Sequence, residues 1–84
     1  MTTAEELQQA AARVNALPKA PATSDMLGLY GLYKQATLGD VSGARPGMLD
    51  PRGRAKYDAW TSRKGMSPEA AREAYVALAK KLGA

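Results

Sequence analysis

The sequence predicts an all-α protein, a four-helix bundle with one long connection between its second and third helices, on three observations. Hydrophobic residues make up 45% of the 84, but 17 of them are alanines, only three are valines, and isoleucine and phenylalanine are absent. That vocabulary suits closely packed helices and lacks the β-branched and aromatic content of strands. Four segments carry helix-start chemistry followed by apolar residues at helical spacing. Between the second and third of them lies GDVSGARPGMLD, longer than the roughly 2 to 8 residues that ordinarily join bundle helices.

The first helix opens at Thr3, where the Thr-x-x-Glu pattern with Glu6 is a capping box. Leu7, Ala10, Ala11, Val14 and Leu17 then recur at helical spacing until Pro18. After a short loop over 18–23 the second helix starts near Ser24 and ends at Gly39. The third has Asp50 as its N-cap and Pro51 at the first helical position, where a missing N–H is tolerated, and Gly65 stops it. Ser67-Pro68-Glu69 repeats the device. Ala71, Ala74, Tyr75, Leu78 and Leu82 follow as one apolar stripe, with Lys80 and Lys81 favourably near the negative end of the helix dipole. The connection over 39–50 reaches at most about 40 Å, whereas a 15-residue helix is about 22 Å long. It can therefore return the chain to the end it left, so that helices two and three run parallel. Its Gly and Pro residues suit an irregular path, and Arg45 reads equally as an anchor or as solvated surface.

A chain of this length predicts one domain over residues 1–84 that buries only about 60% of its unfolded surface, so a sizeable ligand site has to be an open groove. No Cys and no His are present. Thiol chemistry, the usual zinc ligands and the side chain that titrates near neutrality are thus excluded, and an enzyme would have few tools. Glu5 and Glu6 stand where a signal peptide needs an apolar run, and no stretch approaches the roughly 20 apolar residues of a membrane span. These features predict a soluble intracellular protein, and a cytoplasmic monomer is the expected form. The net charge of +4 favours anionic partners, with nucleic acid, a membrane surface and phosphorylated small molecules all open at this point.

At about 100° per residue, Met26, Leu27, Tyr30, Tyr33 and Lys34 of the second helix fall within about 120° of one another. Leu29, Leu32 and Ala36 occupy an adjoining arc, so the apolar surface is wider than the stripe an amphipathic helix buries. On their own, Tyr30 and Tyr33 read as core residues with wet hydroxyls, and Lys34 as snorkelling beside them. On the third helix, however, Arg52, Lys56 and Arg63 project in the same general direction as Ala59 and Trp60. Cations beside an apolar face suit phosphates; a solvated charged edge is the alternative. Trp60 reads as structural, and Tyr75 is an aromatic with a polar tip on an otherwise small stripe. Together these residues describe an open groove with an aromatic platform for a planar ring, cations for phosphates, and Met26 with Leu27 for a flexible apolar group.

Those residues stand within longer motifs: LYGLYKQATLGD over 29–40, RPGMLD over 45–50, GRAKYDAW over 53–60, Lys64-Gly65 and Ala74-Tyr75. In order and spacing the chain resembles the acyl-CoA-binding proteins over essentially its full length. The resemblance implies a bundle of up-down-down-up topology that binds long-chain acyl-CoA one-to-one, as a carrier and pool former without catalysis and with no cofactor. It implies that Tyr33 stacks on the adenine, that Tyr30, Lys34 and Lys56 hold the ribose 3'-phosphate, and that Tyr75 adds a hydroxyl contact. It further implies that Met26 and Leu27, with Ala11 of the first helix, line the acyl groove and that Arg52 lies near its course. Asn15 departs from the pattern, standing where family members often carry a lysine that reaches the coenzyme phosphates. Tyr57 replaces a common Trp, and Gly28 and Gly31 are unusually small, which predicts a roomier or looser groove. The expected partners are acyl-CoA and, transiently, acyl-CoA-using enzymes or membranes, with no nucleic acid. The alternative to this reading is a basic helical module for nucleic acid or protein interaction, motivated by the cluster from Arg52 to Lys64.

Overall fold

Three of the four helices begin on the side-chain caps that the sequence announces. The computed structural model describes residues 2–84, with α1 at Ala4–Asn15, α2 at Thr23–Leu38, α3 at Pro51–Thr61 and α4 at Pro68–Lys81. At α1 the Glu6 N–H donates to the Thr3 hydroxyl and the Thr3 N–H donates to the Glu6 carboxylate, each at 3.1 Å. Asp50 accepts from the Gly53 N–H at 3.0 Å, and Ser67 accepts from the Ala70 N–H at 3.1 Å. The exception is α2, which starts at Thr23 behind extended backbone at Ala22 and has no side-chain cap. Ser24 therefore lies inside the first turn, where Asp25 faces the positive end of the dipole instead. Regular helix in α3 ends at Thr61; tighter turns carry the chain to Gly65, which leaves at φ +92°.

Packing runs in a row: α1 on α4, α4 on α2, α2 on α3, and no other pair of helices brings Cα atoms within 8 Å. Three side chains reveal the directions. Arg72 Nε donates to the Thr2 carbonyl at 3.0 Å, so α1 and α4 start together. Gln35 Nε2 donates to the Met66 carbonyl at 2.9 Å, which sets the end of α2 at the start of α4. Trp60 Nε1 donates to the Gly39 carbonyl at 2.7 Å, so the ends of α2 and α3 coincide. The topology is up-down-down-up, with α2 and α3 parallel. The long connection makes this possible and is stitched along α3, by Tyr57 to the Gly43 carbonyl and by the Arg45 fork on Asp58 at 2.9 and 2.7 Å. Arg45 is an anchor.

The core is small: Leu7, Ala10 and Val14 of α1, Leu29 and Leu32 of α2, and Ala71, Tyr75 and Ala79 of α4. Its thinness shows in the flattened extents of 34 × 29 × 15 Å. The accessible surface of 5353 Å² exceeds the roughly 4,800 Å² usual for this mass. No residue of α3 is fully buried, so that helix depends on how closely it approaches α2. Gly31 sets that approach. A Cβ there would overlap the Ala59 carbonyl, lying 2.8 Å from its carbon, whereas one on Gly28 would meet Leu78 at an ordinary 3.4 Å. The expectation that both glycines loosen a ligand groove is therefore corrected. Gly31 faces the α3 backbone and Gly28 faces α4, and each admits a neighbour rather than enlarging a cavity.

Two exposed carboxylates are tuned by these ties. Asp40 accepts from the Gly65 N–H and from buried Gln35, both at 2.8 Å, and these bonds hold its pKa below the ordinary 3.8. The Arg45 guanidinium does the same for Asp58. Each group is easier to ionise folded than unfolded. Its stabilisation is present above pH about 4 and is lost as pH falls through the lowered value. Melting Asp40→Asn over a pH series should give a lower Tm at neutral pH and a smaller drop on acidification; equal drops would exclude Asp40 as a source of acid lability. The glycines test the packing. Gly31→Ala should cost about 1 to 3 kcal/mol in denaturant unfolding, while Gly28→Ala should gain up to about 1 kcal/mol from helix propensity. Equal effects would refute the asymmetry.

Candidate functional site

Because α1 and α2 flank α4 with no Cα atoms of the two within 8 Å of each other, the space between them stays open as a groove of about 440 Å³. Gln8, Ala11, Ala12 and Asn15 of α1 form one wall, and Met26, Tyr30 and Tyr33 of α2 the other. Tyr75 forms part of the floor. A second groove of about 760 Å³ lies between the N-terminal half of α2 and α3, lined by Leu27, Arg52, Ala55, Lys56 and the loop residues Ala20 and Pro21. Met26 and Tyr30 line both, so the grooves meet along a ridge made by these two side chains.

The first groove is aromatic. Tyr33 meets Tyr75 edge-on, with ring centroids 6.0 Å apart and planes at 61°, a favourable arrangement of the two quadrupoles. The Gln8 amide reaches across from α1 and donates to the Tyr33 hydroxyl at 2.8 Å, fixing the ring from its polar end. Tyr75 is 5% exposed. Burial pushes its phenol above the ordinary 10.0, and the neighbouring Tyr33 acts in the same direction.

The ridge is cationic. Lys34 Nζ lies 5.6 Å from the Tyr30 ring centroid and 6.0 Å from that of Trp60, and Lys56 Nζ lies 5.5 Å from the Tyr30 centroid. Each contact is a cation–π attraction. Among the described residues the one ion pair is Arg45–Asp58, so neither ammonium group has a carboxylate partner. Two positive charges from different helices beside one ring, which itself lines both grooves, are an arrangement whose charge and donors suit a phosphate-sized anion.

Of the residues that the family resemblance implies for the site, all but Lys34 line one or other groove, and Lys34 lies against the Tyr30 ring of the ridge. Tyr30, Lys34 and Lys56 come together at the ridge. Tyr33, Tyr75, Ala11 and Asn15 share the first groove with Met26, while Leu27 and Arg52 share the second with it. Ala11 and Leu27, expected in one groove, are separated by the ridge, because Leu27 turns toward α3 whereas Ala11 faces α2 across α4. Arg63 does not join Arg52 and Lys56. Regular helix stops before it, and its guanidinium lies beside Gly28, toward Leu78. Sequence reasoning passed over Gln8, Ala12, Pro21 and Ala55. The spacing Gln8, Ala11, Ala12, Asn15 repeats every three or four residues beside the core stripe of α1, and such a second stripe is a readable sign of a groove wall.

Comparison with known proteins agrees with the four-helix fold. The family model described as "Acyl CoA binding protein" matches residues 4–79. The chain belongs to that family. It is 49% identical to an acyl-CoA-binding protein of Gossypium hirsutum over 78 residues, covering 93% of this chain and 88% of the relative. To an acyl-CoA-binding protein homolog of Manduca sexta it is 46% identical over 83 residues, covering 98% and 92%. The crystal structure of Oryza sativa acyl-CoA-binding protein 2 superposes with a TM-score of 0.88 at 42% identity, covering 93% of this chain and 85% of that one. The comparisons lend no support to a nucleic-acid module. Among the described residues no helix is long and apolar enough to cross a membrane.

Tyr75 links the floor of the first groove to alkaline stability. Its ionisation is harder folded than unfolded, so its contribution is present below pH about 10 and is lost as pH rises through the raised value. Tyr75→Phe should therefore lose less Tm than the parent between neutral pH and strongly alkaline buffer. Matching alkaline slopes in the two melting series would show that the phenol is not perturbed by burial.

Proposed function

We propose that this chain binds long-chain acyl-CoA esters one-to-one and carries them as a cytoplasmic, monomeric pool former that performs no chemistry on them. The observation that carries this reading is the pair of ammonium groups, Lys34 and Lys56, without carboxylate partners on the Tyr30 ring where an aromatic groove meets a second, largely apolar one. Membership of the family and the names of its relatives point the same way. The groove walls offer phenols, amides, cations and apolar groups, a set suited to holding a ligand.

In this reading Tyr33 is the stacking platform for adenine, oriented by Gln8 and backed by Tyr75. Tyr30, Lys34 and Lys56 take the ribose 3'-phosphate. The acyl chain crosses the ridge at Met26 and lies along Leu27 and Ala55 in the second groove, with Arg52 beside its course. Ala11 and Asn15 then belong to the head-group side. Chain burial contributes at most about 0.8 kcal/mol per methylene, so chain length sets affinity while the head group discriminates against free fatty acid. Bound ester is then available to enzymes that use acyl-CoA.

Calorimetric titration with palmitoyl-CoA, coenzyme A and palmitate tests the assignment. Palmitoyl-CoA should bind tightest and palmitate most weakly; equal affinities for ester and fatty acid would overturn it. Lys34→Ala or Lys56→Ala should each weaken palmitoyl-CoA binding by about 1 to 3 kcal/mol with an unchanged helical spectrum, as for lost charge-assisted hydrogen bonds. Asn15→Lys should tighten it by restoring a cation beside the coenzyme phosphates. Unaltered affinity in both lysine variants rejects the phosphate seat.

A further inference from the structure

The first groove is lined by phenols, amides and apolar groups, and no charged side chain faces into it. Both of its amides, Gln8 and Asn15, stand on α1, seven residues and therefore about 10 Å apart along one face. Between them that face presents only the methyl groups of Ala11 and Ala12. Because α1 begins beside the end of α2, Gln8 meets Tyr33, whereas Asn15 lies toward Met26 and Tyr30 at the ridge. The two amides thus mark opposite ends of one uncharged strip.

Gln8 is tied to Tyr33 in an incomplete way. The Tyr33 hydroxyl stands 2.8 Å from Gln8 Nε2 and 3.2 Å from Oε1. An amide offers two N–H donors and an acceptor with two lone pairs, more than one hydroxyl can use. Among the described residues the Gln8 side chain bonds to no third group, and no other hydrogen bond joins α1 to α2. As a strap this is poor, since Gln8 is exposed and water competes for each bond. What the tie does is hold a donor and an acceptor, side by side, at the polar edge of an aromatic face.

That pair is the complement of one base edge. Adenine carries an amino donor at N6 next to an acceptor at N7, the edge that Gln and Asn side chains read in nucleic acids. We propose that Gln8 reads the N6 and N7 edge of the adenine stacked on Tyr33, so that this chain selects its ester by base as well as by phosphate. The N6 amino group donates to Oε1, one Nε2 hydrogen goes to N7, and the other keeps the bond to Tyr33. With the phosphate at Tyr30, Lys34 and Lys56, the base falls at the Gln8 end of the strip. Hypoxanthine has an oxygen in place of the amino group, so the same edge becomes two acceptors and the amide oxygen is left opposed to an oxygen. Sites built to pair a polar group reject an analogue that lacks it. The inference rests on the acyl-CoA reading and adds to it the choice of base.

Calorimetric titration of palmitoyl-CoA and of its deaminated analogue, with hypoxanthine for adenine, tests this on the parent and on Gln8→Ala. The parent should bind the adenine ester about tenfold or more tighter than the hypoxanthine ester. Gln8→Ala should weaken the adenine ester by a similar factor, leave the hypoxanthine ester within about twofold, and so erase the preference, with an unchanged helical spectrum. A Gln8 that merely steadies the Tyr33 ring would cost both esters equally, and that outcome overturns the proposal. So does a parent that binds both esters with one affinity, which leaves the acyl-CoA reading standing. A parent that binds neither ester rejects that reading and this inference together.

Discussion

The close approach of α2 to α3 at Gly31 and Ala59 is the constraint on which the rest of the molecule hangs. No residue of α3 is fully buried, and no other helix comes near it, so this backbone contact and the ties at Gly39 and Asp40 keep it in place. The positions of Lys56 and Arg52 follow from it. Were α3 pushed outward by the width of a methyl group, the backbone carrying Lys56 would stand farther from the Tyr30 ring and the second groove would widen. A glycine that costs helix propensity is retained by the geometry of the neighbour it admits.

From that contact the site assembles with little further expense. The row α1–α4–α2–α3 leaves two furrows because the backbone of α1 stays apart from that of α2, and the backbone of α3 from that of α4. Residues at three- and four-fold spacing on α2 then serve both furrows from one ridge. The lysines at the ridge lack carboxylate partners and gather on one aromatic ring instead, whose face supplies partial compensation. Cation–π contacts leave the ammonium protons available to an incoming oxyanion in a way that ion pairs would not.

Much of this was legible in the residues. Thr3, Asp50 and Ser67 announced three helix starts because cap chemistry is local, and the twelve residues after α2 announced a parallel neighbour because loop length limits topology. Tyr30, Lys34 and Lys56 could be grouped by helical angle and family motif, and they do group. What escaped were effects that depend on a partner across space. Ala11 and Leu27 lie on opposite sides of a ridge that no single helical wheel reveals. The wheel for Arg63 assumed regular helix beyond Thr61. Gly28 and Gly31 looked like absent side chains until the backbone and side chains occupying their space were known. Ala22 begins a helix without any capping atom, so no local signal marked it.

The pairing of α1 with α4 has a consequence for how the chain reaches its folded state. Leu7, Ala10 and Val14 are covered chiefly from α4, and the Arg72 bond to Thr2 spans 70 positions. Such closure is costly in chain entropy and needs both ends of the chain to be present. During synthesis α1 therefore emerges with its apolar stripe uncovered and must wait until α4 has cleared the ribosome, open meanwhile to chaperones and proteases.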